Sequence, residues 1–212
     1  MRIGILIILS LAAGLAACGK PDQPSISLFL AMQRGDIDQL DRHLEWGTEV
    51  NQAFADGDYP LHIAASNGRV VMVDLLLDAG ADVSAKNKAE LTALDLAILS
   101  GRTQVAKVLF KAGATIDASA LLVRAASQDV TDRDTVKVLI SHGANINHVD
   151  TKGDTPLLTA VRHGNHRLLQ HLINHGAEVN SKDAEKKSAL TIALESGEND
   201  IAKILRANGG TE

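Results

Sequence analysis

Between Phe54 and Lys86 the alternation of apolar and polar positions predicts two short helices. Pro60 presets the backbone for a first helical turn, and Leu61, Ala64 and Ala65 put small apolar groups along one face. Gly68 ends that run as a helix C-terminus would. Val70 to Leu77 follow as a second run that is apolar nearly all round, the pattern of a helix covered by neighbours on both sides. Gly80 closes it, and an exposed turn leads to the next unit.

The same closing phrase recurs down the chain. It reads Gly47-Thr-Glu-Val-Asn51, Gly80-Ala-Asp-Val-Ser84, Gly113-Ala-Thr-Ile-Asp117, Gly143-Ala-Asn-Ile-Asn147 and Gly176-Ala-Glu-Val-Asn180, with a degenerate copy at Gly209. The steps are 33, 33, 30, 33 and 33 residues. A period of that length predicts a solenoid whose units bury their apolar faces only by stacking. Six units follow, at about 25–53, 54–86, 87–117, 118–149, 150–182 and 183–212. Arg42 and His43 in the first and Arg206 in the last are read as polar outward faces that keep the ends soluble.

Tyr59-Pro-Leu-His-Ile-Ala-Ala65 and Asp154-Thr-Pro-Leu-Leu-Thr-Ala160, with weaker copies at Leu91–Ala97 and Lys187–Ala193, resemble the Thr-Pro-Leu-His-x-Ala-Ala phrase of the ankyrin-repeat family. The resemblance covers about residues 25 to 210. It implies an all-α stack of helix–turn–helix units with β-hairpin finger loops on one side, and a concave groove lined by fingers and first helices. His62 would be the family's hydrogen-bonding histidine, and Asp95, in its place one unit later, would bond the next finger.

The fourth unit departs from the others. Gly113 to Ala125 is 12 residues where Gly80 to Ala97 is 17, so its finger is about five residues short. The turn Ser127–Asp134 between its helices is about two residues longer. A notch in the row of fingers is expected between units three and four.

The N-terminus is a separate object. Met1-Arg2 precede an apolar run, Ile3 to Ala17, too short for a membrane span of roughly 20 residues. The run ends in Leu15-Ala16-Ala17-Cys18, which resembles the lipobox of bacterial lipoproteins. That resemblance implies a signal peptide at 1–17, lipidation of Cys18 and a tether at 18–24, anchoring the chain to a bacterial membrane from the periplasmic side. Gly19, where aspartate would resemble an inner-membrane retention signal, favours the outer membrane. Cys18 is the only cysteine, so no intramolecular disulfide can form.

Setting Arg2 aside leaves 20 basic against 26 acidic side chains, a formal charge of −6. A mildly acidic chain with 2% aromatic residues has neither the basic stripe nor the stacking platforms of a nucleic-acid binder. Eight histidines raise the question of a metal, with His171 and His175 four apart and His142, His163 and His166 nearby. The pattern offers no cysteine among them and no His-Glu-x-x-His, so no metal site is expected. Phosphate-cradling glycine loops and nucleophile–base pairs are likewise missing from the sequence, so catalysis and cofactors are not expected.

What remains is surface, and a monomer is expected when the chain is free. The family resemblance implies partner contacts from finger tips and exposed first-helix positions. These are Phe54, Asp56, Asp58 and Tyr59; Lys88, Glu90 and Leu99; Thr151, Lys152, Arg162 and His163; and Glu185, Lys186, Lys187 and Glu195. The scarce aromatics Phe54, Tyr59 and Trp46 are candidate anchors. Ankyrin lipoproteins of this kind resemble immunity partners of secreted antibacterial phospholipases, implying a protein that blocks an envelope-targeting effector. A scaffold for a resident periplasmic enzyme is the alternative.

Overall fold

The computed structural model describes residues 22–128, 130 and 134–212. The expected signal peptide and Cys18 lie outside the described residues. Twelve helices form six antiparallel pairs: α1 Leu28–Arg34 with α2 Ile37–Glu45, α3 Pro60–Ser66 with α4 Val70–Asp78, α5 Ala93–Leu99 with α6 Thr103–Lys111, α7 Ala118–Ala126 with α8 Asp134–Ser141, α9 Pro156–Arg162 with α10 His166–Asn174, and α11 Ala189–Glu195 with α12 Asn199–Ala207. None of these is long and apolar enough to cross a membrane. First helices stack on first helices and second on second, giving a solenoid.

Two residue ladders run the length of the core. Each first helix contributes one fully buried alanine: Ala31, Ala64, Ala97, Ala125, Ala160 and Ala193. A methyl at this position lets successive first helices come close. Each second helix contributes the residue four before the phrase glycine. These are Leu76, Leu109, Leu139, Leu172 and Leu205, all fully buried, and in the first unit His43. Burying one such leucine contributes about 1.5–3 kcal/mol.

His43 is therefore not the outward polar cap that its charge suggests. It is buried at the end of the leucine ladder, with Nε2 donating to the Ile26 carbonyl at 2.8 Å and Nδ1 3.0 Å from the Thr48 hydroxyl. A polar side chain is tolerated in that place because both ring nitrogens are satisfied. Arg206, by contrast, stands where earlier units carry Leu77, Phe110, Ile140 and Ile173, and it is exposed.

The fingers are tighter than the paired strands expected of them. In each, the first residue donates its N–H to the carbonyl four residues on: Phe54 to Asp58, Asn87 to Leu91, Asp150 to Asp154 and Asp183 to Lys187. The fourth residue of each turn sits in the left-handed region, at Gly57, Glu90, Gly153 and Lys186. Among the described residues, the one β-bridge is Lys182 with Ser188.

Unit four has no such turn. Asp117, the last residue of the phrase, caps α7 directly by accepting from the Ala120 N–H at 3.0 Å. Helix α7 is nine residues long where the other five first helices have seven. α5 and α7 also pack least closely of the five successive first-helix pairs.

Polar ties join the other units. Asn51, Asn147 and Asn180, each ending a phrase, bond the backbone of the next unit's phrase: Gly80 and Asp82, Glu178, and Gly209 and Thr211. Residues just before second helices reach back to carbonyls of the preceding unit: Arg69 to Met32 and Gln33, Arg102 to Ser66, and Asn165 to Gln128. No long-range hydrogen bond between described residues joins units three and four. They share instead a parallel stack of Phe110 on His142, with ring centroids 3.6 Å apart.

A candidate partner-binding groove

First helices and fingers share one face. Along it, the residue preceding each ladder alanine is Leu30, Ile63, Leu96, Arg124, Thr159 and Ile192. Arg124 is the one charge in that row. It is exposed, and its guanidinium has no partner among the described residues.

Two clefts flank α7 at this point. One, of about 280 Å³, lies between finger three and α7, lined by Lys86, Glu90, Leu91, Thr92, Asp95, Thr115, Ile116, Asp117, Ala120, Leu121 and Arg124. The other, of about 650 Å³, lies between α7, α9 and the fifth and sixth fingers, lined by Ala120, Val123, Arg124, Ser127, Asp150, Lys152, Asp154, Thr159, Arg162, His163 and Glu185. They meet over Ala120 and Arg124. The missing finger is thus an open slot with a helix as its floor.

The structure brings some of the sequence-nominated residues together and leaves others apart. Lys152, Arg162, His163 and Glu185 all line the larger cleft, and Glu90 the smaller. Arg162 is held rather than free: it donates to Asp154 at 3.0 Å and to Asp183 at 2.5 Å, tying unit five to unit six. Lys187 pairs with Glu195 at 2.7 Å and lies 3.8 Å from Glu185. Those contacts raise its pKa, the Glu195 hydrogen bond foremost. Glu90 pairs with Lys86 at 3.6 Å. His163 turns Nδ1 to the Thr159 carbonyl at 2.9 Å. Lys152 is exposed with its ammonium unpartnered among the described residues.

Phe54, Asp56, Asp58 and Tyr59 form a separate cluster at the second finger. Phe54 is half-buried against the core and meets Phe29 edge to face, with centroids 5.1 Å apart. Asp56 accepts the Asp58 N–H at 3.1 Å, and Asp58 accepts from Asn87 at 2.7 Å. Lys88 donates to the Ala55 carbonyl at 2.8 Å. These side chains build the fingers as well as surface them. Leu99 is half-buried against the core and lines neither cleft, and Trp46 is exposed at the end of α2.

His62 bridges two units. Its Nδ1 accepts the Tyr59 N–H at 3.2 Å, so Nε2 carries the proton it donates to the Leu91 carbonyl at 3.0 Å. Burial, more than any other cause, holds its pKa below the ordinary histidine value. Asp95 does not reach the next finger. It accepts from the N–H and hydroxyl of Thr92, both at 2.9 Å, closing a capping box on α5. Unit four offers it no finger to bond. Among the described residues, no group of three or more His, Cys, Asp or Glu side chains is placed to hold a metal ion.

The family model described as ankyrin repeats (3 copies) matches residues 28–120 and 122–212. No curated protein matches the chain. Among solved structures, the chain is similar to one in the complex of the predatory endopeptidase Bd0816 from Bdellovibrio bacteriovorus with immunity protein Bd3460. The identity is 28%, with 87% of this chain and 99% of that chain covered, at a TM-score of 0.71. It is also similar to the ankyrin repeat domain of Bcl-3, a member of the IkappaB protein family. There the identity is 26%, with 90% and 89% covered, at a TM-score of 0.68.

Proposed function

Since this chain belongs to the ankyrin-repeat family, a family of protein–protein interaction modules, we propose that it is an immunity protein: it binds an envelope-targeting enzyme through its inner face and blocks that enzyme's active site by occlusion. The observation that carries the reading is the slot over α7, where a cleft of about 650 Å³ exposes unpaired Arg124 and Lys152 between fingers held rigid by their own ties. A stiff floor with unsatisfied charge favours capture of a folded partner over chemistry of its own. The similarity to a chain of an endopeptidase–immunity complex supports the same reading. The free protein is a monomer. Lipidation at Cys18 anchors it on the periplasmic side of the outer membrane, where an effector attacking lipid or peptide bonds arrives.

The test is genetic and then biochemical. Cells lacking the protein should lose viability only while the enzyme it blocks is present, and deleting that enzyme should rescue them. Adding the purified protein should then inhibit the enzyme, assayed against both phospholipid and peptide substrates. Full viability after deletion, with reduced activity of a resident envelope enzyme, would replace immunity by a scaffold role. Loss of labelled fatty acid from a Cys18→Ser variant checks the anchor.

A further inference from the structure

We infer that the slot over α7 receives a protruding hairpin loop of the partner, with a carboxylate at its tip, in the place of the chain's own missing fourth finger. The inference rests on the reading above that the inner face holds a protein, and it specifies which part of that protein enters and by what chemistry.

The shape comes first. Fingers two and three are stacked by matching contacts, and so are fingers five and six. Lys88 lies across Gly57 and bonds Ala55; Ala184 lies against Gly153; Asn87 bonds Asp58, and Asp183 is joined through Arg162 to Asp154. Between the pairs, one finger's place is open. Glu90 on one side and Lys152 on the other line the clefts that fill it. A hairpin turn is the object this row already accommodates on each side. Ala120 on the floor leaves room for its backbone.

Charge selects the tip. The carboxylates around the slot are occupied: Glu90 by Lys86, Asp95 by Thr92, Asp117 by the Ala120 N–H, and Asp150 by the N–H groups of Lys152 and Asp154. Arg162 is occupied by Asp154 and Asp183. Arg124 and Lys152 are the cations left over among the described lining residues. An arginine rising from an otherwise uncharged row suits bidentate capture of a carboxylate. The wall also holds two polar atoms buried without a hydrogen-bond partner, Asp154 Oδ1 and Thr159 Oγ1, so its hydrogen bonding is incomplete until something docks.

The experiment pans a displayed library of disulfide-closed loops against the purified protein. Two kinds of variant follow: Arg124→Glu and Lys152→Glu, and a slot filled by repeating residues 86–91 after Ile116. Enriched loops should carry Asp or Glu at the turn. Each charge reversal should weaken them by about tenfold or more, and the filled slot should abolish binding while the helical signal is kept. If the filled variant fails to fold, the two surface reversals still decide. Overturning results are no enrichment, enrichment without acidic residues, or binding that survives both reversals. A wild-type chain that protects cells while a filled-slot variant protects equally well would overturn the loop and leave immunity standing. A wild-type chain that fails to protect would overturn immunity alone.

Discussion

Gly57 and Lys88 are packed so closely that a methyl group on Gly57 would stand 2.5 Å from Lys88 Cγ. The two residues sit on adjacent fingers, and the same relation recurs at Gly153, where an added Cβ would be 3.1 Å from the Ala184 Cβ. The left-handed position is glycine at these two fingers. At the other two it is Glu90 and Lys186, with φ of 58° and 65°. Those two have no finger packed on them, because unit four lacks one and unit six is the last described. Stacking, beyond backbone torsion, thus separates the glycines from the side chains.

Opposite substitutions should therefore have opposite signs. Gly57→Ala combines the left-handed cost of about 1–2 kcal/mol with displacement of the Lys88 stem. It should lower stability by at least that amount in urea titration. Lys186→Gly relieves the same torsional cost, and the extra entropy of an unfolded glycine offsets roughly 0.5–1 kcal/mol of the relief. A small gain or no change is expected. A Gly57→Ala protein as stable as the wild type would show that the finger stack yields freely.

Units one to three and units four to six should open as two blocks. In a stack stabilised by nearest-neighbour contacts, cooperativity breaks at the thinnest interface. Here that is the junction where α5 and α7 barely touch and the Phe110–His142 stack is the described polar or aromatic link. Hydrogen exchange should show two groups of protected amides with different opening free energies, and His142→Ala should separate them further. A single uniform opening energy across all six units would contradict this.

The helices were legible because a period of 33 residues repeats the same apolar spacing six times. The missing finger was legible as a plain count. Arg124 could have been found from the sequence by stacking the copies on their shared alanine, which sets it beside Ile63, Leu96, Thr159 and Ile192. It was passed over because it lies in the helix rather than in a finger tip. His43 was misread because charge type alone does not tell a solvated residue from one whose two ring nitrogens are satisfied inside. Asp95 was misread for a related reason: its partner depends on whether a neighbouring finger exists, which is a property of the next unit. The fingers' own ties, such as Arg162 to Asp183, arise between residues 21 apart and have no local signature.

Asp183 should supply part of the acid sensitivity. Burial would raise its carboxyl pKa, but the N–H groups of Lys187 and Glu185 and the Arg162 guanidinium outweigh burial and hold it below the usual carboxylate range. A depressed carboxylate stabilises the fold above its unfolded pKa of about 3.9, and that contribution is lost as pH falls through the folded value. Asp183→Asn should cost about 1.5–3 kcal/mol at neutral pH, the range for hydrogen bonds to charged groups. The gap to wild type should close below about pH 4. A gap unchanged at low pH would mean that packing, not charge, is what the substitution removes.

His62 should give the chain a second, milder pH dependence, and in a functional place. Both of its hydrogen bonds need the neutral ring, since a proton on Nδ1 would leave the Tyr59 N–H facing another donor. Burial already holds its pKa below the ordinary value. The unfolded state binds the proton near pH 6.5 and the folded state only at lower pH. The stability His62 contributes is thus complete above about pH 6.5 and declines as pH falls through the folded value. His62→Gln should cost roughly 1–3 kcal/mol at pH 7, and its deficit should shrink steadily toward pH 5. The bond at stake ends on Leu91, the last residue of finger three and part of the wall of the smaller cleft. Acidification should therefore speed amide exchange around Leu91 and Thr92 before it affects units five and six. Equal acceleration in every unit would place the pH response elsewhere than at His62.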